Sequence, residues 1–307
     1  MTSPRASVTA VAGRWTGAGL AATVLMVAAA GPALAGAADL LYERTLMTAA
    51  DARCRLFEPA VGAALESGRM QARGAALRGG SSADALSQVE RRARSKVAST
   101  ACDSPDLRTA AGRVRTAFEG YAKLQRMTWP GDYADWRGDR MITRDNPVWR
   151  LSQTATFGYD RMNFGMGGKS GQGALLAAVS FSDGATPYTA RLVMRDPARA
   201  PQAYLDRRLS GMKGRIPLSA RFPPASATRS WSAEARSAAS ERLLPKGSTE
   251  GLLYRFPMRA ADAMAGLDPR EAVAVEFVFA GRNGDVVRRA YIEVGDFAAG
   301  RAFLNIG

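Results

Sequence analysis

The chain is expected to be an α+β protein: an N-terminal helical bundle stapled by a disulfide, followed by a mostly antiparallel β domain in the form of a sandwich or half-barrel. Three observations predict this. Apolar residues recur at three-, four- and seven-residue spacing as far as about residue 128, the period of a helix. From Pro130 onward glycine, proline and aromatic residues become more frequent and the apolar period shifts toward two. The two cysteines, Cys54 and Cys102, both fall in the helical part. With 307 residues, 47% hydrophobic and 23% charged, the chain is long and apolar enough to bury real cores, which excludes a disordered or collagen-like chain.

Residues 1–35 read as a secretory leader. Arg5 and Arg14 give a basic start, Leu20 to Ala30 is almost continuously apolar, and Ala33-Leu34-Ala35 supplies small residues for cleavage. The apolar stretch is shorter than the roughly 20 residues of a spanning helix, and no membrane span is expected after cleavage. The bundle is assigned to residues 36–128. Leu40, Leu41, Leu46, Met47, Cys54 and Phe57 mark its first helix, and Pro59 opens a second that ends at Gly79-Gly80. Ser81 or Ser82 caps a third helix with Leu86, Val89, Ala93 and Val97 on its apolar stripe. Ser104-Pro105-Asp106 opens a fourth whose buried face is Leu107, Val114, Phe118, Tyr121 and Leu124. In an up-down bundle helices one and three are parallel, which brings Cys54 and Cys102 to the same end. One intramolecular disulfide, in an oxidising compartment, is the expectation.

Residues 129–147 read as a linker or ordered loop, and 148–307 as the β-rich domain. Strands are expected near 148–157, 174–181, 187–194, 215–221, 228–236, 251–256, 272–280 and 285–294, with helices near 259–267 and 297–304 and a further short helix near 202–209. Asp183-Gly184 and Asn283-Gly284 are expected hairpin turns. Val273, Val275, Phe277 and Phe279 alternate against Val286, Arg288, Ala290 and Ile292 as the clearest hairpin. Tyr254-Arg255-Phe256-Pro257 through Val294-Gly295-Asp296-Phe297-Ala298-Ala299-Gly300 resembles the closing segment of invasion-associated locus B-type periplasmic domains, and the arrangement as a whole is similar to uncharacterised exported bacterial proteins. The resemblance implies a periplasmic β-sandwich and carries over no functional residue.

The chain contains no histidine, which removes Ser/His/Asp and Cys/His catalysis, imidazole metal ligation and a histidine acid or base. Loss of the leader leaves 40 basic and 28 acidic residues, a formal charge of +12. The arginines are scattered rather than blocked, a pattern of adhesion to anionic surfaces and not of a nucleic-acid site.

Short motifs with chemical meaning are weak. Gly165-Met166-Gly167-Gly168-Lys169-Ser170 ends like a phosphate-binding loop, but Asn163 stands where the first glycine belongs and Gly171 and Gly173 interrupt the helix that should follow. A surface loop is expected, with no nucleotide. Ser210-Gly211-Met212-Lys213 has the spacing of a Lys-activated Ser, but Gly211 and Gly214 break the helix that chemistry needs, and Lys246-Gly247-Ser248 is a scrambled partner motif. Met162 and Met166 lack the further soft ligands of a copper site. Asp132, Asp135, Asp139 and Asp145 lack calcium-loop order and are interleaved with arginines. No metal or other cofactor is expected.

The most suggestive cluster is aromatic. Trp129, Tyr133, Trp136 and Trp149 lie among Arg137, Arg140 and Arg144, where flat rings could hold sugar or peptide and guanidinium groups could meet anions. The same rings could instead pack the joint between bundle and β domain. The expectation is a periplasmic or secreted, non-enzymatic envelope protein binding cell-wall glycan, an anionic envelope surface or an envelope protein. Its alternatives are an envelope glycan hydrolase using Asp135 and Asp139, and a purely structural oligomer.

Overall fold

Local chemistry sets the ends of four helices: α1 (Ala33–Cys54), α2 (Pro59–Arg78), α3 (Ala83–Ala98) and α4 (Pro105–Ala122). Pro59 and Pro105 occupy first turns, where a missing N–H costs nothing. The Ser82 hydroxyl accepts the Ala85 N–H at 3.1 Å, and the Asp51 carboxylate accepts the N–H groups of Leu56 and Phe57, fixing the α1–α2 connection. The computed structural model describes residues 33–169, 173–205 and 216–304. The expected leader therefore lies, up to Pro32, outside the described residues.

Helix α1 packs on α2 and α3, and α2 also packs on α4. Two apolar clusters fill these contacts, one around Met47, Leu65, Val97 and Leu107, the other around Leu41, Ala76, Leu77 and Leu86. Cys54 and Cys102 form a disulfide with their Cα atoms 5.6 Å apart. Leu124 departs from its expected place on the buried face. Helix α4 ends at Ala122, and Leu124 is 42% exposed.

Among the described residues eleven strands follow: β1 (Arg126–Trp129), β2 (Trp136–Asp139), β3 (Val148–Phe157), β4 (Asp160–Gly168), β5 (Ala174–Ser180), β6 (Thr189–Arg195), β7 (Thr228–Ser232), β8 (Ala235–Ala238), β9 (Leu252–Phe256), β10 (Ala272–Gly281) and β11 (Gly284–Glu293). Helix α5 (Met258–Ala265) precedes β10 and helix α6 (Phe297–Leu304) follows β11. All pairings are antiparallel, in a seven-stranded sheet of order β1-β2-β3-β4-β5-β9-β8 and a four-stranded sheet of order β11-β10-β6-β7. The two share one core, in which Phe277 of β10 lies 5.6 Å from the Tyr254 ring of β9 and 5.9 Å from that of Phe157 of β3.

Several elements differ from expectation. The span 129–147 contributes β2 to the large sheet instead of a plain connection. Gly165 to Gly168, expected as a surface loop, belong to β4 in mid-sheet, where glycine lets two backbones close up. Gly165 has φ +148° and a Cβ there would overlap the Leu151 carbonyl, opposite a bulge between Trp149 and Leu151. The expected strand 228–236 is two strands, because the chain leaves the small sheet after β7 and enters the large one at β8. Residues Leu218–Arg221 form a 3-10 turn, not a strand. The expected helix at 202–209 falls partly on residues outside those described, and 202–205 are not helical. Asn283 is in the hairpin turn between β10 and β11, with Phe277 opposite Arg288 in register. Asp183-Gly184 is a turn but not a hairpin, since β5 and β6 lie in different sheets.

Helices and sheets meet at α6. Ser67 of α2 donates to the Ala299 carbonyl at 2.8 Å, Tyr121 of α4 packs edge-on against Phe303 at 6.0 Å, and Arg78 of α2 pairs with Asp296 at 2.9 Å. From Ala33 onward the chain forms one compact unit, where the sequence alone suggests a division.

Two outcomes follow from these contacts. Opening the loop closed by Cys54 and Cys102, 48 positions apart, with Cys54→Ser/Cys102→Ser lowers unfolding free energy by about 4 kcal/mol in denaturant titrations. At the β5–β6 crossing, hydrogen bonds from Arg288 and the Ala185 N–H hold the Asp183 carboxyl at about 2, below its ordinary 3.8. A carboxyl depressed in the folded state adds stability above its unfolded pKa and loses it as pH falls through the folded value. Between pH 3.8 and about 2, the wild type therefore loses more stability than Asp183→Asn in acid titrations of unfolding.

Candidate functional site

The aromatic segment is built around one buried carboxylate. Glu293, at the end of β11, is 1% exposed, and its two oxygens accept the N–H groups of Asp132 and Tyr133 at 3.0 and 2.9 Å. Its own N–H donates to the Gln153 side chain on β3, and its carbonyl accepts from Trp136 Nε1 at 3.1 Å. These bonds draw the loop before β2 into the protein. Trp129 and Trp136 are 1% and 0% exposed, packed against Phe303 and Phe297 at 5.4 and 5.0 Å. Neither offers a face to a ligand, and both belong to the joint where α6 meets the sheets. Tyr133 lies under Arg221, whose guanidinium is 5.3 Å from its ring. Trp149 is half-buried on the other side of the sheet, its Nε1 donating to the Leu243 carbonyl.

The three arginines separate as well. Arg140 is not an anion contact: it donates to the carbonyls of Ala122, Leu124 and Phe303, and its guanidinium lies 3.7 Å from the Phe303 ring centre. It thus closes the C-terminal ends of α4 and α6 together, where a cation meets the negative end of both helix dipoles. Burial pulls its pKa below the usual guanidinium value. Arg137 and Arg144 are exposed.

The four aspartates do not converge on a cavity. Asp132 pairs with Arg221 at 2.8 Å and Asp139 with Arg126 at 2.8 Å, and Asp135 and Asp139 line neither of the two clefts described below. No group of three or more acidic or cysteine side chains suited to a metal occurs among the described residues. Met162 and Met166 are core residues of β4, four positions and so about 13 Å apart along the strand, too far to share an ion. Ser210-Gly211-Met212-Lys213 lies outside the described residues.

Exposed chemistry collects elsewhere. Gly158-Tyr159 form the two-residue turn between β3 and β4, with Gly158 at φ +61°, and the Tyr159 side chain stands 93% exposed at the rim of a groove of about 650 Å³. Arg161, Ser180, Ser182, Ser248, Thr249 and Glu250 line it. Arg161 is held in place by donating to the Lys246 carbonyl at 2.8 Å and to the Ser248 hydroxyl at 3.4 Å, so the Lys246-Gly247-Ser248 turn becomes a groove wall. A second cleft, of about 960 Å³, lies between the α2–α3 turn and the small sheet. It is lined by Arg73, Arg78, Arg195, Arg221 and Arg270, but these are paired with Glu90, Asp296, Glu271, Asp132 and Asp268 respectively. Its cations are committed to the fold, whereas the Tyr159 groove presents polar groups to solvent.

Comparison with family models, curated proteins and solved structures returns no match. Sequence reasoning missed the Tyr159 groove because it missed β4. Had the glycines of 165–168 been read as strand, Gly158-Tyr159 would have stood out as a two-residue hairpin turn carrying an aromatic ring.

The two kinds of aromatic residue differ measurably. Trp136→Ala lowers stability by about 3 to 5 kcal/mol through cavity formation, whereas Tyr159→Ala shifts it by no more than about 0.5 kcal/mol, as read by chemical denaturation.

Proposed function

We propose that the protein is an exported, non-catalytic binding protein of the cell envelope, and that cell-wall glycan is its ligand, held in the groove beside Tyr159. The observation that carries this reading is the combination at that groove of an exposed aromatic face with hydroxyl, guanidinium and carboxylate groups. A sugar stacks its C–H face on an aromatic ring while its hydroxyls exchange hydrogen bonds with such groups. The cavity has room for a short saccharide segment. Among the described residues Glu250 is the one carboxylate lining the groove, whereas glycoside hydrolysis ordinarily uses two flanking the bond, which favours binding over turnover. Export fits the Cys54–Cys102 disulfide, and among the described residues no helix is long and apolar enough to cross a membrane.

Cosedimentation with purified sacculi at physiological salt tests the reading. The wild type binds, and Tyr159→Ala weakens binding about 3- to 10-fold, the worth of one aromatic contact, while Trp149→Ala leaves it unchanged. Equal binding by wild type and Tyr159→Ala, or binding abolished in both by salt, overturns it.

A further inference from the structure

At the opposite end of the large sheet from β8, the β1–β2 ribbon ends in an apolar tip. Arg126 pairs with Asp139 in register, and the Arg140 N–H continues the ladder by donating to the Gln125 carbonyl at 2.9 Å. Leu124, whose N–H still donates to the Tyr121 carbonyl in the last turn of α4, immediately precedes this ladder on one side, and Met141 immediately follows it on the other. Met141 is anchored there by its N–H, which donates to the Asp139 carboxylate at 2.8 Å, and Ile142 follows it. Leu124, Met141 and Ile142 are 42%, 47% and 54% exposed, three apolar side chains left in water at the same end of the ribbon. Monomeric proteins scatter exposed apolar residues singly, and a cluster marks a docking site.

The surroundings indicate what docks. Arg137 projects from the same face of the ribbon as Asp139, two positions along the strand, and Arg144 sits in the loop just beyond Ile142. Both are exposed, and neither has a carboxylate partner among the described residues. Lys123 and Arg126 flank the tip with side chains 73% and 74% exposed, in surface pairs with Glu119 and Asp139. Surface pairs of this kind are weak and easily exchanged. An apolar tip within a basic ring, on a chain with excess positive charge, is complementary to an anionic lipid bilayer: the apolar side chains enter the headgroup boundary and the guanidinium groups meet phosphate. Arg140, bonded to the carbonyls of Ala122, Leu124 and Phe303, ties the backbone beside Met141 to the ends of α4 and α6.

We propose that Leu124, Met141 and Ile142 with Arg137 and Arg144 form a docking surface for anionic lipid membranes. The surface is separate from the Tyr159 groove and does not depend on the glycan reading. The test is cosedimentation at physiological salt with vesicles of equal parts phosphatidylglycerol and phosphatidylcholine, and with phosphatidylcholine alone. The wild type binds the anionic vesicles only. Met141→Ser/Ile142→Ser, at exposed positions and with an unchanged melting temperature, loses about tenfold or more in partitioning. Arg137→Gln/Arg144→Gln also binds more weakly, with a shallower salt dependence. Tyr159→Ala keeps vesicle binding and Met141→Ser/Ile142→Ser keeps sacculus binding, so the two proposals fail independently. Three results overturn this one: no vesicle binding, binding unaffected by the serine pair, or a concentration-dependent mass that the serine pair abolishes, which would make the tip a contact between copies of the chain.

Discussion

The Glu293 carboxylate is the point to which the rest of the molecule is tied. A buried carboxylate without partners costs several kcal/mol, so its position obliges the chain to bring donors to it. The donors come from the 131–133 loop, and Arg221 stands 4.0 Å away. Gln153 reaches across from the large sheet to the Glu293 backbone, and Trp136 places its ring under the start of α6. One residue thereby connects the edge of the small sheet, a strand of the large sheet and the loop that leads into β2. Gly295, at φ +46° with Trp136 packed against it, turns the chain immediately afterward so that Asp296 meets Arg78 of α2. Burial raises the Asp296 pKa and Arg78 opposes that shift without cancelling it, so the ion pair offsets part of the desolvation as it holds helix to sheet.

Much of this architecture was legible in the sequence because it is written in local chemistry. Prolines at helix starts, the Ser82 cap and the three-and-four spacing of apolar residues delimit α1 to α4 with little help from distant contacts. The hairpin of β10 and β11 is legible for the same reason, since its alternation and its turn lie within 22 residues. Where distant packing decides, legibility fails. The glycines of β4 look like a loop until Leu151 is seen against Gly165, and the break between β7 and β8 is a change of sheet that no pattern of period two can announce. The strands β5 and β9, by contrast, lie where the apolar runs near 174–181 and 251–256 place them.

The candidate site shows the same limit more sharply. Four aromatic residues within 21 positions carry the composition of a binding surface, yet Trp129, Tyr133 and Trp136 are held by Glu293, more than 140 residues away, and by α6 beyond it, and Trp149 by Leu243. The spacing located the joint of the protein and not its outer chemistry. Leu124, placed by periodicity on a buried face, is exposed because α4 stops two residues earlier. Tyr159 was invisible because the hairpin that carries it was. Burial is thus the quantity that separates binding surface from scaffold in this chain, and it depends on contacts that sequence spacing does not contain.

The position of α6 has a consequence in time as well as in space. Phe297 and Phe303 complete the main core, and Ala299 takes the hydroxyl of Ser67, 232 residues upstream. During synthesis the first helices emerge long before their partner exists, and the ring of Trp129 waits for Phe303, far downstream in the chain. The joint cannot close until α6 has been made. Until those turns have left the ribosome the nascent polypeptide stays incomplete there, and so pliable.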